Sequence, residues 1–197
     1  MTSNITRAVA GLGAAAMLAA AAPAMAADPT DAMLRAAAEI SAEYDLPAGL
    51  LLAVAEVESD FDPDCVTGRC VGLMQLHSAY AGSFARAAGM ESYDLYDPED
   101  SLRIAGALLA EYLDTYQGDL HMALMCYNLG EAGALRKLAS GIDRTGYSRK
   151  VVSGIERWAN VGLPYAPEPQ EPTEDTAERV RAFAVGVWER VREVLRA

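Results

Sequence analysis

The sequence predicts an all-α domain. Apolar residues recur at helical spacing along most of the chain, and strand-like alternation is almost absent. A strong helix start, Asp97-Pro98-Glu99-Asp100, combines a capping Asp, Pro at the first helical position and acids at the positive end of the helix dipole. With 197 residues, 52% of them hydrophobic and 22% charged, the chain has room for one domain with a sizeable core and a small appendage.

The elements read in order. Asp31 to Tyr44 carries apolar residues at helical spacing. Pro47 suits the first turn of a second helix running to about Asp60, and Asp62-Pro63 ends it. A loop to Val71 and a short apolar piece, Gly72 to Leu76, come next. Ser78 to Ala88 reads as a helix stopped by Gly89. The helix that opens at Asp97 continues to about Tyr116 and stops at Gly118. Asp119 to Leu129 and Glu131 to Ala139 follow, separated by Gly130, and a last core helix covers about Ser148 to Trp158.

Both ends of the chain differ from this core. Ala8 to Ala22 is an apolar run too short to span a bilayer, followed by Pro23 and the small-x-small triplet Ala24-Met25-Ala26. Residues 1–26 therefore read as a secretory signal cleaved before Ala27, leaving no integral membrane segment in the mature chain. Residues 27–163 form the domain. Pro164, Pro167, Pro169 and Pro172, interleaved with Glu and Gln, mark a linker over 164–174. Residues 175–197 form an amphipathic C-terminal helix with Val180, Ala184, Val187, Val191 and Val194 on one face. That face reads either as packing on the domain or on a second copy, or as an anchor for a partner.

Charge narrows the function classes. There are 16 Lys and Arg against 28 Asp and Glu, a net charge of -12. A nucleic-acid binder needs a basic patch, and an anionic membrane attracts basic surfaces, so neither partner is expected. Cys65 and Cys70 flank a loop-like segment, and outside the cell they are expected to close a small disulfide. Cys126, inside Met122-Ala123-Leu124-Met125-Cys126, reads as a buried free thiol. Two cysteines with only His77 and His121 lack a metal-ligand spacing, so neither a metal nor another cofactor is expected.

The candidate acid comes from helical phase. At ~100° per residue, Glu58 falls on the stripe of Leu51 and Val54, whereas Glu56 and Asp60 fall well away from it. A carboxyl held on an apolar face has its ionised form disfavoured, so its pKa rises, as a general acid working near neutral pH requires.

Four segments occur in a telling order: Val57-Glu58-Ser59-Asp60-Phe61-Asp62-Pro63, Gly72-Leu73-Met74-Gln75, Tyr127-Asn128-Leu129-Gly130 and Tyr147-Ser148-Arg149-Lys150-Val151. Together they resemble the SLT-type lytic transglycosylases, a lysozyme-like family related to goose-type lysozyme. The resemblance covers about Asp31 to Asn160. It implies a lysozyme-like helical fold and cleavage of peptidoglycan glycan strands between N-acetylmuramic acid and N-acetylglucosamine. Glu58 matches the catalytic acid, which protonates the glycosidic oxygen and then, ionised, takes the proton of the muramic C6 hydroxyl as a 1,6-anhydro ring closes. Ser59 is expected to orient the end of the acid's helix. Gly72 matches a close approach of backbone to saccharide, with Met74 and Gln75 lining the cleft. Tyr127 and Asn128 match the motif that shapes the sugar site, and Tyr147 a tyrosine whose hydroxyl lies near the acid.

The chain departs from the family pattern at His77-Ser78, where Met-Pro or Asn-Pro is usual, and at Arg69-Cys70, where Gly-Ala is common. The family's serine near the cleft is absent, with Thr67 as its candidate substitute, and Leu129 replaces a smaller or more flexible residue. Two other functions remain open at this stage. A lysozyme-type hydrolase would need a second carboxylate, for which Glu91, Asp94 and Asp97 are conceivable. A non-catalytic wall-binding or secretion-assembly protein could keep the same fold.

Overall fold

A computed structural model describes residues 28–161 of the chain. The expected signal segment, the expected linker and the C-terminal periodic stretch lie outside the described residues. The elements are α1 (Asp31–Glu43), α2 (Leu50–Ser59), β1 (Val66–Thr67), β2 (Cys70–Val71), β3 (Leu76–His77), α3 (Ser78–Ala87), α4 (Pro98–Thr115), α5 (Leu120–Leu129), α6 (Glu131–Ala139) and α7 (Gly146–Ala159).

Residue type explains which helices are central. Leu50 to Ala55 are apolar on every side of α2, and all are buried. A helix that is apolar all round can be accommodated only inside the molecule. The middle of α4 behaves likewise, with every residue from Ile104 to Glu111 buried. Ile40, Leu51, Leu109, Leu124 and Val151 bring α1, α2, α4, α5 and α7 into one cluster. Side-chain oxygens of Thr30, Asp97, Asp119 and Thr145 cap α1, α4, α5 and α7 by accepting a first-turn N–H. Each such cap is worth about 1 kcal/mol.

The structure departs from the sequence reading in three places. Pro47 lies in a turn before α2, and Gly49, with φ of 82°, caps the helix. α7 starts at Gly146, not near Ser148, so Tyr147 belongs to its first turn. The expected loop holds a three-stranded antiparallel sheet, with Val66 opposite Val71, Thr67 opposite Cys70, Cys70 opposite His77 and Val71 opposite Leu76. Strands of two residues leave no alternating pattern for a sequence reading to find.

This sheet also corrects the expected disulfide, because Cys65 and Cys70 are free thiols. Cys70 sits opposite Thr67, and the Gly72 N–H bonds the Cys65 carbonyl at 2.9 Å, so the two cysteines are diagonal across the ladder. Diagonal positions sit roughly 7–8 Å apart. That exceeds what a disulfide bridges without backbone movement. Cys126 is free and buried, and burial pushes its thiol up to about 12.

A second, smaller cluster lies between α4, α5 and α6. Met122, Met125, Cys126 and Ala134 pack with Tyr112 and Tyr116, whose hydroxyl donates to Glu131 Oε1 at 2.7 Å. Glu111 is buried against this region, and its Oε2 has no hydrogen-bond partner among the described residues. Burial, with the Glu131 charge second, raises its pKa to about 8. In the unfolded chain the same group ionises near 4.5. The folded state therefore holds the proton more tightly, and its stability falls as pH rises from about 4.5 to about 8. Glu111→Gln is expected to flatten that slope, gaining on the order of a few kcal/mol over the wild type at pH 8 and above. Urea midpoints at pH 5 and pH 8.5 check this; parallel shifts in both proteins would refute it.

Candidate active site

The site is built where α2 ends. Glu58 lies in its last turn, half-buried, and Asp60 and Phe61 both take left-handed backbone with φ of 55° and 64°. Consecutive left-handed non-glycine residues cost roughly 1–2 kcal/mol each. Phe61 is held there by burial and by an edge-on contact with Trp158 at 5.0 Å between ring centres. The sharp reversal sends the chain into the sheet and leaves Glu58 at the turning point.

α7 supplies the partner of the acid. α2 and α7 run antiparallel, with Gly49 against Ile155 and Ala159, Ala53 against Gly154, and Glu58 against Tyr147. A Cβ on Gly49 would lie 2.4 Å from the Ile155 carbonyl oxygen, so only glycine allows this approach. Glu56, two residues before the acid, accepts from Arg157 and from Trp158 Nε1, tying α2 to α7 from the side.

Tyr147 donates its hydroxyl proton to Glu58 Oε1 at 2.6 Å. Two effects act on the Glu58 carboxyl. Burial is the larger and raises its pKa, and the Tyr147 hydrogen bond lowers it; the net shift is upward. Among the described residues no carboxylate perturbs it. Burial and the Glu58 charge push the Tyr147 phenol far up, so it remains a donor at any physiological pH.

The Gly72 to Gln75 turn forms the supporting wall, and each of its residues is buried. Gly72 has φ of 80°, and a Cβ there would lie 1.9 Å from the Leu95 carbonyl oxygen. The backbone pressing on Gly72 is thus the chain's own. The Ser59 hydroxyl, at the end of the acid's helix, bonds the Leu73 carbonyl at 2.7 Å. Met74 is wholly buried, which corrects the expectation that its side chain lines a cleft. Its backbone is held at both ends: the N–H donates to Ser101 Oγ at 3.2 Å, and the carbonyl accepts from the Tyr127 hydroxyl at 2.7 Å. Gln75 also turns inward. With φ of 47°, it donates Nε2 to the carbonyls of Cys65 at 2.9 Å and Gly72 at 3.0 Å. These contacts follow from the tight turn, whose carbonyls need donors in a buried setting. Tyr127 is half-buried at the end of α5, whereas Asn128 beside it is exposed and its side chain makes no hydrogen bond among the described residues.

Two neighbours of the site escaped the sequence reading. Ser101 is a fully buried polar residue on the inward face of α4, and a serine among Leu102, Ile104 and Ala105 was its one available signal. Cys70 lies near enough to Glu58 for the carboxylate, after burial, to raise its thiol. That proximity depends on the sheet, which the sequence does not announce. Among the described residues no group of His, Cys, Asp and Glu is arranged to hold a metal ion.

This arrangement can protonate a leaving oxygen from one carboxyl and recover a proton on the same oxygen pair. Comparisons with known proteins identify the family. The family model described as the transglycosylase SLT domain matches residues 35–147, more than half of the chain. The chain is 32% identical over 127 residues to the membrane-bound lytic murein transglycosylase C of Serratia proteamaculans, covering 57% of this chain and 34% of that protein. It therefore spans about a third of that relative's length. An inactive mutant of the lytic transglycosylase Slt from Pseudomonas aeruginosa shares the fold, with a TM-score of 0.50 at 19% identity over 80% of this chain and 24% of that one. With its mostly helical architecture, its acid at the end of a buried helix and a matched family model, this chain belongs to the transglycosylase SLT domain family.

Proposed function

We propose that this chain is a peptidoglycan lytic transglycosylase acting outside the cytoplasm, with Glu58 as both acid and base. The observation that carries the reading is a single half-buried carboxyl of raised pKa, held by one phenol, with no carboxylate acting on it among the described residues. Inverting hydrolysis needs a second carboxylate to activate water. The acids considered for that task are committed or solvated. Asp97 caps α4, Asp94 accepts from the Tyr96 N–H at 2.9 Å, and Glu91 is exposed.

Ring closure within the substrate needs only one acid. The protonated Glu58 gives its proton to the oxygen linking N-acetylmuramic acid to N-acetylglucosamine, and the bond from that oxygen to muramic C1 breaks. The carboxylate left behind takes the proton of the muramic C6 hydroxyl while that oxygen bonds C1. Glu58 ends protonated, and no water is consumed. Tyr147 stabilises the carboxylate between the two transfers. The murein transglycosylase named above supports the substrate class, and the apolar run before Ala24-Met25-Ala26 supports export. Digestion of purified peptidoglycan, followed by mass spectrometry of the soluble muropeptides, tests the reading. Products lighter by one water than reducing muropeptides are expected; reducing ends would overturn ring closure in favour of hydrolysis.

The pH profile offers an independent check. Glu58 must be protonated in the free enzyme, so the alkaline limb of kcat/KM reports its pKa. The Tyr147 hydrogen bond favours the ionised form. Tyr147→Phe is therefore expected to move that limb to higher pH, alongside a lower kcat because the base loses its donor. A limb that stays in place or moves to lower pH would show that Tyr147 does not act on the acid.

A further inference from the structure

Away from the acid, at the other end of α2 and α7, the surface carries an apolar hollow of about 280 Å³. Leu34, Ala38 and Ala42 line it from α1, and residues four apart share one face of a helix. Trp158, in the last turn of α7, and Val161, just beyond that helix, line it as well. So does Gly49 at the start of α2, about 13 Å along that helix from Glu58. None of the lining residues is charged, and the Trp158 indole N–H is already given to Glu56. Leu34, Ala38, Trp158 and Val161 are only half-buried, and Ala42 is exposed. Small side chains such as Ala38 and Ala42 let a second helix approach closely.

The chain itself supplies an occupant. Val161, a lining residue, is also the last described one, so the chain leaves the domain from the rim of the hollow. Extended, residues 162–174 reach up to about 40 Å, several times the ~12 Å from Leu34 to Ala42 along α1. Residues 175–197 can therefore return to the hollow. At ~100° per residue, Val180, Ala184, Val187, Val191 and Val194 form one stripe. Arg179 and Arg190 fall on one flank of it, Arg181 and Arg192 on the other, and Glu178, Glu189 and Glu193 on the opposite face. An apolar stripe between rows of arginine suits an apolar hollow on an acidic molecule, and this chain carries 28 acids against 16 bases. We propose that residues 175–197 fold back as a helix and dock their valine stripe in this hollow, against α1 and the end of α7 of the same chain. Tethered beside the hollow, the segment meets it at an effective concentration of about millimolar, well above that of a second copy in dilute solution.

Hydrogen exchange on the full chain at micromolar concentration, read by mass spectrometry, tests the docking. An amphipathic helix without tertiary support exchanges fast, because packing supplies most of its stability. The amides of residues 180–194 are expected to exchange at least about tenfold more slowly in the wild type than in Val187→Arg or Ala42→Arg. Ala42 is exposed, so the domain itself tolerates arginine there, and Ala42→Ser is expected to keep the protection. Fast exchange in the wild type would overturn the proposal. Protection that survives Ala42→Arg would overturn it too, because the segment would then pack elsewhere. Protection lost on dilution, with light scattering showing a dimer become a monomer, would give the stripe to a second copy instead. Protection that appears only with phosphatidylglycerol vesicles would give it to a membrane surface and leave the hollow unfilled by this chain.

Discussion

Glu58→Gln is expected to lower glycan cleavage about a thousandfold or more while leaving the protein folded. The amide cannot donate the first proton or accept the second, so both halves of the reaction are lost together. The fold has little reason to object. Gln keeps the shape, and its carbonyl oxygen still accepts from Tyr147. The linkage argument goes further. The Glu58 pKa is raised in the folded state, so the folded chain holds the proton more tightly than the unfolded chain. The stability this proton supplies is present below about 4.5, where both states are protonated, and is lost as pH rises through the folded pKa. At neutral pH the wild-type carboxyl therefore costs stability, and Glu58→Gln should melt at the same temperature or slightly higher. Catalytic groups commonly carry such a cost. Glu56→Gln is the control. Glu56 lies two residues away but faces Arg157 and Trp158, so its loss should cost a little stability and leave turnover intact. Muropeptide release and thermal melts on both variants decide the matter. Wild-type turnover in Glu58→Gln would remove this residue from the chemistry.

The parts of this site that could be read from sequence are those set by helical phase. Glu58 on the stripe of Leu51 and Val54 needs only the period of a helix, and α2 is indeed helical and buried along that stripe. Asp97-Pro98 as a helix start likewise depends on local chemistry, and Asp97 does cap α4 through the Asp100 N–H at 3.0 Å. The supporting turn is different. That Met74 points into the core and Gln75 folds back on Cys65 and Gly72 is decided by left-handed backbone at Gly72 and Gln75. Those conformations are imposed by Leu95 and Ser101, which are distant in sequence. No periodicity reports a contact across 27 residues. The disulfide expectation failed for the same reason. Spacing made Cys65 and Cys70 look like neighbours, and strand register made them diagonal.

That wall predicts the largest structural effect. Gly72→Ala is expected to destabilise the domain by on the order of 3–5 kcal/mol. Two causes add. Gly72 holds φ of 80°, which an L side chain adopts at a cost of about 1 kcal/mol. The new Cβ would also lie 1.9 Å from the Leu95 carbonyl oxygen and 3.0 Å from its carbon. Backbone cannot step aside as the end of a flexible side chain can, so the strand or the Leu95 segment must shift. Gly118→Ala separates the causes. Gly118 has nearly the same φ, 83°, but nothing within 4 Å of its Cβ position. It should lose only the conformational part, about 1 kcal/mol. The melting temperature of Gly72→Ala should thus fall by about 10 °C or more, and that of Gly118→Ala by only a few degrees. Activity supplies the second readout. Gly72 opens the turn whose Leu73 carbonyl holds Ser59 at the end of the acid's helix, and whose Met74 carbonyl holds Tyr127. Assayed well below its melting temperature, Gly72→Ala should still lose turnover, and Gly118→Ala should not. Equal losses of stability in the two variants would mean that the Leu95 segment yields freely and that the wall behind the acid is not rigid.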